Sequence, residues 1–317
     1  MPRSLNVLAL RLLDDVQSGS GDELGVVHHA LGNGASVVDF GVESAGSLEA
    51  GILLSRVCMA DCGRVSIVSG SAFSAGWPTI QVETDQPVAA CLQSQYAGWK
   101  ISVGDYFAMG SGPMRAAAAS EELFTQLPVA ETAQRVVGVL ETGQLPTEDV
   151  AAYVANRCQV TPTDITLLAA PTASLAGTIQ VVARSVETSL HKLFELGFDV
   201  RRVRHGFGTA PLPPVAADDL SGIGRTNDAI LYGGQVTLWV TGDDASLEEI
   251  GPRVPASAAD CYGKPFLEIF RAADHDFYKI DPLLFSPAQV VFHNVETGNA
   301  FRFGNVDPSI LGQSFGV

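Results

Sequence analysis

The residues of this chain best suited to moving a proton lie along one helical stripe. Ile179, Val182, Val186, Leu190 and Leu193 recur at three- and four-residue steps, and Gly197 supplies a stop, so Thr178 to Leu196 reads as one long amphipathic helix. Opposite the apolar stripe fall Arg184, Glu187, Thr188, His191 and Glu195. Residues three apart on a helix are neighbours, so Arg184 and Glu187 meet. A carboxylate beside a guanidinium in a sheltered site can hold a water molecule and take its proton as the water attacks an electrophilic carbon. Facing solvent, the same stripe is an ordinary ion-pair face, and spacing by itself favours that plainer use.

Other polar segments carry weaker signals. Phe107 to Arg115, with Gly110-Ser111-Gly112-Pro113 at its centre, reads as a glycine-rich loop ahead of an alanine-rich helix expected over Ala116 to Phe124. Its amides suit an anion and Arg115 adds a charge, but the glycine spacing is that of neither a nucleotide loop nor a dinucleotide fingerprint, and a tight turn explains it equally. Ile223 to Asp228 reads as a polar loop in which Arg225, Asn227 and Asp228 offer donors and acceptors to a heterocycle, or simply cap and turn the chain. The pairs Asp218/Asp219 and Asp243/Asp244 lack the spacing of a calcium loop, and His28-His29 are adjacent. Cys58 and Cys62 flank an apolar run and read as buried thiols, so no structural zinc or other metal is expected. Gly312-Gln313-Ser314-Phe315-Gly316 matches a nucleophile elbow by chance only, in a tail expected to be flexible.

The elements that must position these groups alternate in type. Leu5, Leu8 and Leu12 mark a helix from Leu5 to Asp15, and Asn33-Gly34 marks a hairpin before a strand at Val37 to Phe40. Further strands are expected at Val65–Val68, Thr79–Val82, Ile165–Ala170, Val200–Val203, Ala229–Leu231 and Val236–Val240. Val290–Asn294 and Ala300–Phe303 can pair across Glu296 to Asn299, Val150–Cys158 reads as a helix, and Pro211–Pro214 as an extended connection. The class is α/β in the mixed α+β sense. A break at Thr161-Pro162 suggests two domains, residues 1–162 and 163–317, unless the boundary is discontinuous.

Composition narrows the function classes. With 46% hydrophobic and 17% charged residues the chain is globular, and a net charge of −16 opposes any phosphate-backbone binder, so nucleic acid is not an expected partner. Five scattered cysteines imply no disulfide framework. Met1 to Asn6 runs into the first helical pattern without a leader, and no run approaches the ~20 apolar residues of a membrane span, so a cytoplasmic protein without a membrane partner is expected.

Several stretches together are far more specific. Asn33-Gly34-Ala35, Gly46-Ser47-Leu48-Glu49-Ala50-Gly51, Ser94-Gln95-Tyr96-Ala97-Gly98-Trp99 and Tyr106 to Pro113 in the first half are followed by Ala170 to Gly177, Val181 to Thr188, Gly224 to Gly234 and Asp276 to Pro282. This series resembles the methenyltetrahydromethanopterin cyclohydrolase family along nearly the whole chain. The resemblance implies a homotrimer of two-domain subunits with a large pocket between the domains. It also implies reversible hydrolysis of a cyclic methenyl-pterin cation to the formyl derivative, with the tetrahydromethanopterin compound as substrate and no permanently bound cofactor. The family's catalytic arginine and glutamate fall on Arg184 and Glu187. Ser94, Gln95, Tyr96, Thr172 and Ser174 in the matched stretches are substrate-binding candidates. Ser111, Gly112, Arg115, Arg225 and Asn227 join them by inference. A pterin-binding protein without turnover, or a cyclohydrolase acting on the tetrahydrofolate analogue, are the alternatives.

Overall fold

A computed structural model describes residues 4–14, 16, 21–129 and 131–317. Its strands are β1 (Val27–Ala30), β2 (Ser36–Asp39), β3 (Arg64–Gly70), β4 (Trp77–Thr84), β5 (Trp99–Val103), β6 (Tyr106–Ser111), β7 (Val136–Glu141), β8 (Ile165–Ala170), β9 (Val203–Pro211), β10 (Gln235–Val240), β11 (Gln289–Asn294) and β12 (Ala300–Gly304). They form two six-stranded sheets, one in each of two compact units. The first unit takes residues 1–62 and 89–180, and the second takes residues 63–88 and 181–317. Thr161-Pro162, where the sequence suggested a boundary, leads through the turn Pro162–Asp164 into β8, which pairs with β2 and β7 inside the first sheet. Among the described residues no helix is long and apolar enough to cross a membrane.

The first sheet runs β1-β2-β8-β7-β6-β5, with β2, β8 and β7 parallel and the outer strands antiparallel. The Asn33-Gly34 turn joins β1 to β2 as the sequence indicated, pairing Ala30 with Ser36. On one face Ala9, Leu10 and Leu13, with Ala50, Leu54 and Val57 of the helix Leu48–Cys58, pack on Val38, Phe40, Val137, Val139 and Leu168. On the other, Val150, Ala151, Val154 and Ala155 of the helix Glu148–Arg157 pack on Val136, Leu140, Ile165 and Leu167. Strands covered on both faces bury nearly every side chain, which is why all six residues of β8 are buried, with Thr166 the one polar side chain among them.

The amino-terminal helix is shorter than its leucine pattern, covering Leu5–Arg11 with Leu12 closing it; Asp15 and Met1 to Arg3 lie outside the described residues. Glu131 accepts from Ser4 Oγ and Leu5 N, while Asn6 donates to the Pro113 carbonyl and accepts from Val137 N, tying the helix to the sheet. The loop expected over Phe107–Arg115 shrinks to Gly112-Pro113, because Tyr106–Ser111 pairs as β6 and Met114 already starts a helix; the alanine-rich segment yields two short helices, Met114–Ala118 and Leu123–Gln126, because Ala119 turns left-handed at φ 42° and ends the first.

The second sheet runs β12-β11-β10-β9-β4-β3, antiparallel except between β10 and β11. Val290–Asn294 and Ala300–Phe303 pair as expected. Three readings change. Val200–Arg202 is a 3-10 turn capped by Asp199, and the strand begins only at Val203. Ile223–Asp228 and the expected strand Ala229–Leu231 belong to one helix, Asp219–Leu231, started by the Asp218 carboxylate accepting from Ser221 N; a short apolar run does not distinguish strand from helix. The tail is a helix, Pro308–Phe315, whose Ser314 Oγ donates to buried Asp228.

Asp39, at the end of β2, illustrates how the loops beside the sheet are held. Its carboxylate accepts from the backbone amides of Gly41, Val42, Glu43 and Ser44. Burial alone raises a carboxyl's pKa, but these four amides together outweigh it and hold Asp39 below the ordinary aspartate value of 3.8. A carboxyl depressed in the folded state stabilises the fold above its unfolded pKa and loses that contribution as pH falls through the folded value. Asp39→Asn should therefore cost about 1.5–3 kcal/mol at pH 7 in urea unfolding, a deficit that shrinks as both proteins are taken to acid pH.

Candidate active site

The helix expected as a single element from Thr178 to Leu196 is two, Leu175–Val182 and Ser185–Glu195. The break is invisible in the sequence because both pieces keep the apolar spacing and neither glycine nor proline marks it. Arg184 stands at the break with φ −91° and ψ 9°, in the sparsely populated bridge region where active-site residues recur. Glu187 follows in the first turn of the second helix, near the positive end of the helix dipole, which favours an anion. The guanidinium lies 3.8 Å from the carboxylate, and the two side chains are only 8% and 5% exposed. A solvated ion-pair face is thereby excluded. Of the rest of the stripe, His191 is buried beside exposed Glu195 at 3.5 Å, and Thr188 donates back to the Ser185 carbonyl.

Strand β9 sets the height of this turn. Gly206 and Gly208 lie beneath it, and a Cβ on Gly208 would stand 2.5 Å from Ser185 Oγ and 2.9 Å from Val186 Cγ2, while one on Gly206 would meet Val186 at 2.6 Å. Only bare backbone lets the helix seat so closely.

In the first unit, Ser94, Gln95, Tyr96, Ser111, Gly112 and Arg115 come together. Val88–Gln95 is a π-helix, a rare conformation concentrated at functional sites. Its last carbonyls need donors, and Arg115 provides them: one guanidinium nitrogen donates to the Leu92 and Ser94 carbonyls at 2.9 and 3.2 Å. The other side of the guanidinium forks onto Glu121, and Tyr96 and Phe124 cover its faces. Arg115 is fully buried, so it organises the segment rather than greeting a ligand. Gly112, at φ +87°, adopts the left-handed turn that lets its amide donate to Ser94 O. Ser111 Oγ lies 3.2 Å from Cys58 Sγ, which also receives Gln180 Nε2 at 3.2 Å, while Ser94 Oγ donates to the Cys58 carbonyl. Cys58 is thus the centre of a buried polar cluster, a role its apolar flanks concealed. Gln180 was legible only as a lone amide in the apolar run Ile179 to Ala183.

Thr172 and Ser174 lie at the carboxyl end of β8. Thr172 Oγ1 donates to Glu141 Oε1, and Ser174 Oγ donates to Pro171 O while accepting from Gly177 N, so Ser174 starts the following helix. Glu141, half-buried at the end of β7, carried no sequence signal beyond one acid closing an apolar run. Arg225 and Asn227, in the second unit, lie on a helix and not in a loop; Arg225 donates to the Pro214 and Val215 carbonyls and Asn227 to Ile223 O. Asp228 beside them accepts from Phe266 N and Ser314 Oγ, and burial pushes its carboxyl up to about 7. Among the described residues no group of three or more His, Cys, Asp or Glu is arranged to hold a metal ion.

A buried carboxylate beside a guanidinium at a helix start is suited to taking a proton from water next to a cationic electrophile. Comparison with known proteins defines the class: residues 4–315 match the family model described as Cyclohydrolase (MCH). The chain belongs to this family. A methenyltetrahydromethanopterin cyclohydrolase of Rhodopirellula baltica is 47% identical over 289 residues, covering 90% of this chain and 87% of that protein. One of Methylobacillus flagellatus is 44% identical over 312 residues, covering 98% and 94%, and one of Methanothermobacter marburgensis is 40% identical over 320 residues, covering 99% of each.

In this cyclohydrolase-family chain the seating of the Arg184 turn is open to direct test. Gly208→Ala should destabilise the protein by about 1–3 kcal/mol in thermal or urea unfolding, and adding Ser185→Ala should recover part of that loss because it removes the 2.5 Å contact.

Proposed function

We propose that the chain is a methenyltetrahydromethanopterin cyclohydrolase, interconverting the methenyl-pterin cation and its formyl derivative, with Glu187 as general base and Arg184 as its partner. The observation that carries this reading is the buried Arg184–Glu187 pair at a helix start, in a chain of this family. The methenyl carbon lies between two nitrogens that share its positive charge, so it is electrophilic before the enzyme acts. Water adds to that carbon while Glu187 accepts one of its protons; as the adduct's hydroxyl gives up the second proton to become the formyl carbonyl, one carbon–nitrogen bond breaks, the departing nitrogen takes one of the two protons as N–H, and the other is released to solvent. Arg184, 3.8 Å away, orients the carboxylate toward the water it deprotonates.

Ser94, Gln95, Tyr96, Ser111, Gly112, Thr172, Ser174, Arg225 and Asn227 are proposed to shape the substrate surface, with Arg115 positioning the Ser94–Tyr96 segment. The protein is proposed to act as a cytoplasmic homotrimer, without a permanently bound cofactor, in one-carbon metabolism, whether toward methane or in formaldehyde oxidation.

Purified protein should abolish the absorbance of the methenyl chromophore of the tetrahydromethanopterin compound and leave the tetrahydrofolate analogue largely intact; loss with neither would refute the activity. Glu187→Gln should lower kcat by ~10²–10⁴ with KM little changed, since it removes the proton acceptor and almost no volume. Unaltered turnover in that variant would remove Glu187 from the mechanism.

A further inference from the structure

We propose that His191 and Glu195 carry the reaction's proton between buried Glu187 and bulk water, along one row of the helix Ser185–Glu195. The need for a relay follows from burial. One proton leaves the site at each turnover, and Glu187, the group that holds it, is only 5% exposed at its side chain. A carboxyl that keeps its proton cannot serve as a base again. Its neighbours on the same helix grade outward: His191, four residues on, is 10% exposed at its side chain, and Glu195, four beyond that, is 38% exposed. Residues four apart on a helix have Cβ atoms about 5–6 Å apart, so the three form one row. His191 Nε2 lies 3.5 Å from Glu195 Oε1, which puts the outer pair at ion-pair distance.

The sheet beneath the helix supplies no proton carrier. Its face toward Val186 carries Ile80, Val82 and Thr84 of β4, Gly206, Gly208 and Ala210 of β9, and Val236 and Leu238 of β10, which share a face because they are cross-strand partners. None of these side chains titrates. The charged groups of the neighbouring turns are engaged elsewhere. Lys192 donates to the Leu283 carbonyl, Asp281 accepts from Leu283 N, and Arg202 donates to Thr241 O and Ser246 Oγ. Histidine suits the middle of the row because it gains and loses a proton near neutral pH and has two distinct ring nitrogens, one to receive and one to release. The protonated Glu187 passes its proton to the neutral imidazole, directly or through one water molecule. The imidazolium then gives a proton from Nε2 to the Glu195 carboxylate, which hands it to solvent. All three groups return to their starting states, and the path runs backward when the formyl compound closes to the ring. The assignment rests on the reading of Glu187 as general base, and His191 acts through Glu187 without taking part in the bond changes at the methenyl carbon.

The test uses the full-length protein and the methenyl-pterin substrate, followed by loss of its absorbance. His191→Gln keeps a polar side chain of similar volume but carries no proton, so it should lower kcat by about tenfold or more with KM within about twofold of the parent. Imidazole added as a mobile buffer should restore kcat of this variant in proportion to its concentration and leave the parent's kcat unchanged, and the variant's solvent deuterium isotope effect on kcat should exceed the parent's. Glu195→Gln should lower kcat by a smaller factor, about threefold, with the same response to buffer. Circular dichroism reports folding, and if His191→Gln does not fold the Glu195→Gln result decides. A folded variant that keeps the parent's kcat, or loses it with no response to buffer, overturns this inference alone. A parent that does not turn over the substrate, or a Glu187→Gln variant with unaltered turnover, overturns the functional reading and this inference with it.

Discussion

The structure depends on keeping a carboxylate and a guanidinium out of water at the first turn of a helix. Removing two charges from solvent is costly, and their attraction offsets that cost only with good geometry and further polar support. The fold supplies both locally. The break at Arg184 puts the pair where a helix dipole favours an anion, and glycines of β9 let the turn sit against the sheet. A pair so placed has little freedom, which suits a group that must meet a water molecule in one orientation.

Charge is used differently elsewhere. Asp39 gathers four backbone amides, and Arg115 gathers two carbonyls and a carboxylate. Each is buried and each closes backbone hydrogen bonds that a loop or a π-helix end would leave open. Arg115, a cation beside Gly112, reads as an anion contact in the sequence. Its guanidinium is instead directed inward, holding the segment that carries Ser94 of the polar cluster at Cys58 and Ser111.

Much of the fold was legible where pattern and environment agree. The β1–β2 hairpin followed from Asn33-Gly34, β8 from an apolar run interrupted only by Thr166, and the β11–β12 pair from two short runs around a turn. Failures occurred where a local signal was shared by two structures. Ala229–Leu231 is apolar enough for a strand but completes a helix started by Asp218, and the alanine-rich segment after Pro113 stops at Ala119 despite its helix propensity.

By itself the sequence determined the residue types and their spacing: an arginine and a glutamate three apart, opposite an apolar stripe, within a string of motifs specific to one family. Spacing is a local property, so it fixes which side chains neighbour each other along a helix. Burial is not local, and only the tertiary structure decided that this pair is sheltered, that the helix breaks at Arg184, and that Glu141 meets Thr172 across 31 residues of chain. Those outcomes depend on which strands pair and which faces are covered, and chain segments distant in sequence supply both.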